Sequence, residues 1–392
     1  MVGTDVTLWR GRLLSVGAAA VLIAVACNPP IPLEATARPS QAGGPAIATP
    51  ATSARPTAVT SAAIQPHLLD ARYVPAEAPT SADEQLLWTA GETTPSEIWR
   101  CVPGPQPPER IFASPRGDAH IDAVAASSAG YAFVEESTRA FGKGGWRLWF
   151  LAGPGQEPIE MDRGSAPGAG VSPTIAMDGE RIAWAAFDEP QSGPVSRLRI
   201  AQTTDLEAVT TLIDAPIRDR LLWYPALVGQ ELWYATIKTD ATGAGDEFHI
   251  EQIDLTRPDA EPARFPGLGN DFDPAVNDRF VVWKTTKPGD AALNWGTLHV
   301  LDRQSEAVSA IPIANAARPS MGERYVAFGE ITHSRLAVFD LSTGTILDLA
   351  PAHPDGSETY GGVSLSGRLL TFFTQGPVEN GLPRIGWATL PE

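Results

Sequence analysis

The sequence predicts an all-β fold, a single β-propeller of seven four-stranded blades, with six blades as the alternative. Three observations predict it. An alternating apolar pair ending in an aromatic recurs seven times, at Leu86/Trp88, Tyr131/Phe133, Ile182/Trp184, Leu232/Tyr234, Val281/Trp283, Val326/Phe328 and Leu370/Phe372. Successive aromatics lie 45, 51, 50, 49, 45 and 44 residues apart, and a strand-built repeat of that length is a propeller blade. The last repeat, finally, runs out after its third strand, Pro383–Thr389, while a strand-like segment near the other end, Leu68–Val74, has no repeat of its own. An unpaired blade edge invites aggregation. The N-terminal segment is therefore expected to supply the missing outer strand and close the ring.

The elements follow in chain order. Residues 1–26 read as a targeting segment. Arg10 and Arg12 precede a fourteen-residue apolar run, Leu13–Ala26, and Cys27 follows. That run suits a signal-peptide core and is short for a membrane span. Ala24-Val25-Ala26-Cys27 resembles a bacterial lipobox. The resemblance implies a lipidated Cys27 as the mature N-terminus, anchored to the cell membrane by acyl chains. An ordinary secretory signal with a chance cysteine is the alternative.

Residues 27–66 read as a tether. Between 28 and 66 there are eight prolines, three charges and no aromatic. Such a composition cannot bury enough apolar surface to offset its ordering entropy, and it acts as a semi-flexible spacer. Residues 67–392 are expected to be the propeller.

In the third repeat the blade can be followed strand by strand. Pro173–Met177 is a short apolar strand, Asp178-Gly179 a tight turn, and Arg181–Ala185 an alternating second strand. Arg197–Ala201 and Thr210–Ile213 complete the four. Related openings recur at Pro225, Pro274 and Pro319. Proline is tolerated at a strand's first residue, where the ladder does not need its missing N–H. Third strands recur at Leu298–Asp302 and Leu336–Asp340, the latter followed by Leu341-Ser342-Thr343-Gly344. These phrases resemble the TolB-like or WD40-like repeat of bacterial envelope proteins. The resemblance implies a propeller in the cell envelope and carries no catalytic residue.

Composition limits function. A formal charge of −17 argues against nucleic acid and against anionic lipid surfaces as partners. Once Cys27 is lipidated, Cys101 has no partner, and it aligns with apolar third-strand positions where a thiol behaves as a small hydrophobe. The six histidines form no metal-binding spacing. Ser364 and Ser366 fall at a strand-to-turn position of the repeat and do not form G-x-S-x-G.

Candidate binding residues lie instead on the segments that enter each innermost strand and converge on the central channel. They are His120 and Asp122, Trp223 and Tyr224, Asp271 and Asp273, Arg318, and Tyr360, with Asp118 and Glu358 beside them. Loops between second and third strands, carrying Phe141 and Trp295, are expected to add to that face. The leading reading is a membrane-anchored extracytoplasmic binding or scaffold module for a protein, peptide or glycan, with no cofactor. One alternative is a lyase, hydrolase or cyclase using Asp271, Asp273 and His120, with a divalent cation near the two aspartates. A structural subunit of an envelope complex is the other.

Overall fold

Alternating apolar residues with a turn every 8–12 positions do give strands, and the strands assemble as seven antiparallel four-stranded sheets. The structure is a computed structural model. It describes residues 64–392 apart from 71, 74, 76–78, 92–94, 138–144, 166–171, 191, 240–245, 287–295, 331–334, 350–358 and 376–382. Cys27, most of the tether, Phe141, Trp295 and Glu358 lie outside the described residues, as do residues 138–144, 240–245 and 287–295 between second and third strands.

Blade 1 comprises Thr80–Ala82, Gln85–Ala90, Glu97–Cys101 and Glu109–Ala113, from the channel outward. Blade 2 comprises His120–Ser127, Gly130–Glu136, Gly145–Leu151 and Ile159–Ser165. Blade 3 has Thr174–Asp178, Arg181–Asp188, Val195–Gln202 and Asp205–Pro216. In blade 4 the strands are Leu221–Val228, Glu231–Thr239, Asp246–Asp254 and Ala263–Arg264. Those of blade 5 are Asn270–Val276, Phe280–Thr286, Thr297–Asp302 and Ala307–Ala310. Ala316–Met321, Tyr325–Glu330, Arg335–Asp340 and Thr345–Asp348 form blade 6. Blade 7 is built from Thr359–Ser366, Leu369–Gln375, Arg384–Thr389 and, as its outer strand, His67–Leu68.

Innermost strands of successive blades pack side by side, and that of blade 7 packs on that of blade 1, so the ring of seven is closed. The closing strand is shorter than expected and starts one residue earlier, at His67 instead of Leu68. His67 pairs with Trp387, and their rings stack at 4.3 Å. Leu69 continues the contact through its N–H to the Ile385 carbonyl, 2.9 Å. Burial begins before residue 67: Ile64 bridges Leu349 at the outer edge of blade 6 and is buried in the core between blades 6 and 7. Further on, Tyr73 meets Trp88 and Trp99 of blade 1 edge-on. Ten residues therefore touch three successive blades.

The repeated aromatics are core residues. Trp88, Phe133, Trp184, Tyr234, Trp283, Phe328 and Phe372 are all buried, packed between blades where large rings remove most apolar area from water. Cys101 is buried as well, and burial pushes its thiol pKa up.

Turns of the inner hairpins link neighbouring blades. Gly179 takes φ 53°, as the tight turn requires, and its carbonyl accepts from Ser127 Oγ of blade 2 at 2.6 Å. Asp178 accepts the Gly229 N–H of blade 4 at 2.7 Å. Asn277 of blade 5 donates to the Gly322 carbonyl of blade 6 at 2.9 Å. Ser366 of blade 7 accepts the Asp83 N–H of blade 1 at 3.1 Å, and Ser364 accepts the Ser81 N–H at 3.0 Å. The serines at the 364–367 turn thus join the last blade to the first.

Candidate functional site

Five of the innermost strands break register at the third or fourth residue from their start. In blades 4, 5, 6 and 7 two residues face one residue of the second strand: Tyr224-Pro225 opposite Tyr234, Asp273-Pro274 opposite Trp283, Arg318-Pro319 opposite Phe328, and Gly362-Val363 opposite Phe372. In blade 2 the extra residue is Asp122, between Ile121 and Ala123. These are β-bulges, which bend a strand and re-aim a side chain. In each of the four blades the bulge lies over the repeated aromatic. Proline suits it because an unpaired position needs no N–H.

The first bulge residue pays attention to that geometry in its backbone. Tyr224, Asp273 and Arg318 take φ of 47°, 52° and 50°, matching Gly362 at 51°. Proline disfavours the right-handed α region for the residue before it, and the two-for-one count turns that residue to positive φ. Such a conformation is rare for a side chain of this size and costs on the order of 1–3 kcal/mol each. Three consecutive blades therefore hold a tyrosine, an aspartate and an arginine at one register position, all in a conformation that suits glycine.

Two of these residues act on the third. Burial pushes the Tyr224 phenol up to about 12, with the Asp273 carboxylate adding to the rise and the Arg318 guanidinium opposing it. Tyr224 stacks on Trp223 at 5.1 Å, and both rings meet Phe272 edge-on at 5.2 and 6.1 Å. Asp273 pairs with the buried Lys284, 2.7 Å from Nζ to Oδ2. Lys284 also lies over the Phe272 ring at 5.3 Å.

Arg318 is exposed. Every other arginine with a described side chain holds a carboxylate or a backbone carbonyl. Among the described residues Arg318 has neither, in a chain whose net charge is −17.

The remaining candidates are placed differently. Asp271 turns into blade 5, where its Oδ1 accepts from Trp283 Nε1 at 2.9 Å and Thr285 Oγ1 at 2.6 Å. The two aspartates therefore have separate partners, and neither is aimed at a cation shared with the other. No group of three or more potential metal ligands occurs among the described residues. His120 is buried, with Nε2 3.4 Å from Asp122 Oδ1. Tyr360 packs edge-on against Phe372, 5.4 Å between centroids. Ser172, just before blade 3, donates to the buried Glu136 at the end of the second strand of blade 2.

Two features escaped the sequence reading. Lys284 follows Trp283, where the other repeats carry Thr89, Val134, Ala185, Ala235, Gly329 and Phe373. A charge in that column was the available signal. The second is a buried network in blade 4: Glu251 accepts from Tyr234 and Arg220, and from His249 Nε2 at 2.9 Å. Burial lowers the His249 pKa to about 4, with the Arg264 charge adding to the fall. No sequence spacing announces it, because Tyr234 and His249 lie on two different strands and Arg220 just before a third.

No protein-family model matches the chain, and no curated protein shows significant sequence similarity to it. Solved structures do share its fold. The β-propeller domain of the Trilobed protease from Pyrococcus furiosus, described as having an open velcro topology, superposes with a TM-score of 0.58 at 10% identity, over 80% of this chain and 95% of that one. Pyrococcus horikoshii acylaminoacyl peptidase gives 0.56 at 11%, over 78% of this chain and 50% of that one. A prolyl endopeptidase gives 0.53 at 13%, over 76% and 44%. The chain spans about half the length of the two peptidases. At these identities the likeness is one of fold: this chain is a seven-bladed β-propeller, and here an N-terminal strand completes the last blade.

Proposed function

We propose that the protein is a membrane-anchored, extracytoplasmic binding module that holds a protein, peptide or glycan partner at the mouth of the channel. The observation that carries this reading is the strained row on blades 4–6. Tyr224, Asp273 and Arg318 keep bulky or charged side chains where glycine would fold more readily. Strain of this kind is retained where a site needs it. Arg318 is exposed and holds no carboxylate or carbonyl among the described residues, and arginine is enriched among the side chains that dominate binding energy at interfaces. The charged n-region, the apolar run and Cys27 support the anchor, and the proline-rich segment after it supports a spacer.

Two measurements test the two halves. The purified mature protein, immobilised through residues 28–60, is exposed to detergent-solubilised membranes and envelope extract. A partner is expected on the wild type and is expected to be lost from a Tyr224→Ala/Arg318→Gln variant; recovery of the bait alone counts against a binding module. Mass spectrometry of the N-terminal peptide is expected to find a diacylglyceryl group on Cys27. An unmodified chain cleaved elsewhere removes the anchor.

A further inference from the structure

We infer that two copies of this chain exchange their N-terminal straps, residues 64–69 of each completing blade 7 of the other. The exchange does not depend on the binding-module reading.

The first argument is where the strap finds its partners. Ile64 bridges Leu349 at the edge of blade 6 and is buried there. His67 pairs with Trp387, and Leu68 with Gly386. The Leu69 N–H meets the Ile385 carbonyl at 2.9 Å, and the Leu69 carbonyl accepts from Arg384 at 2.6 Å. Each of these partners belongs to blade 6 or blade 7. A second copy presents the same edge, so the same set of contacts forms between two chains as within one.

Second, closure within one chain adds little of its own. The strap reaches blade 1 through a single exposed turn. The Tyr73 N–H returns to the Asp70 carbonyl and the Arg72 N–H to Asp70 Oδ1, each at 3.0 Å. The Asp70 and Arg72 side chains are 60% and 69% exposed, where an ion pair contributes little. Only this turn is lost when the strap crosses to another copy. Beyond it the chain is fixed to its own ring: Tyr73 meets Trp88 and Trp99, and Pro75 and Pro79 are buried. A short turn between two held parts is the kind of hinge at which identical elements exchange.

Third, the strap is held by a ladder of only two residue pairs, and its release bares the outer edge of Arg384–Thr389. An unpaired edge is a template for another strand. The strand that fits it is the strap itself, whose His67 ring stacks on Trp387. Opened out, the chain from Leu69 to Tyr73 spans about 14 Å. That reach requires the seams between blades 7 and 1 of the two copies to face one another across a two-fold axis.

The test mixes two single-cysteine versions of the mature chain, His67→Cys and Trp387→Cys, both carrying Cys27→Ser and Cys101→Ala. The two positions are directly opposed on the ladder, within disulfide reach. Gly386 is unsuitable, since a Cβ there would lie 2.3 Å from the Phe372 ring. The mixture is warmed, cooled, concentrated and oxidised. A covalent heterodimer of the two versions is expected. Both cysteines placed in one dilute chain supply the folding control and should close within a monomer. No heterodimer, with that control closed, would overturn the exchange. So would an equal yield when Val308→Cys, exposed on blade 5, replaces Trp387→Cys, because the links would then report collisions. Light scattering of the unsubstituted chain decides independently. A dimer that grows with concentration is expected, with a larger share in Arg72→Pro, which removes an N–H of the turn. A monomer at every concentration ends the inference.

Discussion

Lys284 shows how a single residue can be forced by its neighbour. Its ammonium is buried and meets Asp273, itself fixed in a left-handed conformation by the bulge. Removing one partner of a buried pair leaves an uncompensated charge, which costs about 3–5 kcal/mol, whereas removing both costs far less. Lys284→Met should therefore destabilise by about that amount in urea titrations, and adding Asp273→Asn should recover much of it. Additive losses would mean that the two side chains are not coupled. His249 carries a second residue-scale consequence. Burial, joined by the Arg264 charge, holds its folded pKa at about 4, below an unfolded value of 6.5. Between those values the unfolded chain binds a proton that the native chain does not, so stability is full above pH 6.5 and falls as pH drops toward 4. His249→Asn should flatten that slope. Parallel stability curves for wild type and variant would assign the slope to other groups.

At the scale of the element, two devices govern the ring. One is the bulge over each repeated aromatic in blades 4–7, where a proline or valine occupies the slot that needs no ladder donor. The other is the closing segment, which touches blade 6 through Ile64, blade 7 through His67–Leu69 and blade 1 through Tyr73. Deleting residues 64–73 strips the outer edge of Arg384–Thr389 and uncovers apolar surface between blades. Differential scanning calorimetry should show the midpoint falling by at least ~5 °C, with aggregation on heating. An unchanged midpoint would mean that the inner contacts, Ser81–Ser364 and Asp83–Ser366, close the ring by themselves.

At the scale of the whole molecule, seven nearly equivalent blades leave little room for function except where they differ. The columns of aromatics, turn residues and third-strand apolar positions are shared, and all serve packing or linkage. The channel-mouth column differs: Asp122, Ser172, Tyr224, Asp273, Arg318 and Gly362 stand at or beside the start of the innermost strands of blades 2–7. Under the binding-module reading proposed above, this varying column is where a partner would be met.

Much of this was legible along the chain. Strands of period two, turns such as Asp178-Gly179 and an aromatic every 44–51 residues are local or periodic features, and a closed ring is the arrangement that pairs every edge. Blade number, the identity of the core rings and the need for an N-terminal closing strand followed from those features. The Asp83-Glu84 turn of blade 1 was harder, since both residues take positive φ without a glycine to mark it. The site was legible as a set of residues but not as a geometry. Asp271 and Asp273 are two apart, so an unbroken strand would put them on one face. The bulge after Phe272 breaks that parity, leaving Asp271 to Trp283 and Thr285 and Asp273 to Lys284. Composition and period alone thus settled the architecture, because they report on each strand by itself. Which polar groups were paired away, and which guanidinium has no carboxylate partner among the described residues, was settled by packing, because a bulge is defined only against the strand opposite it.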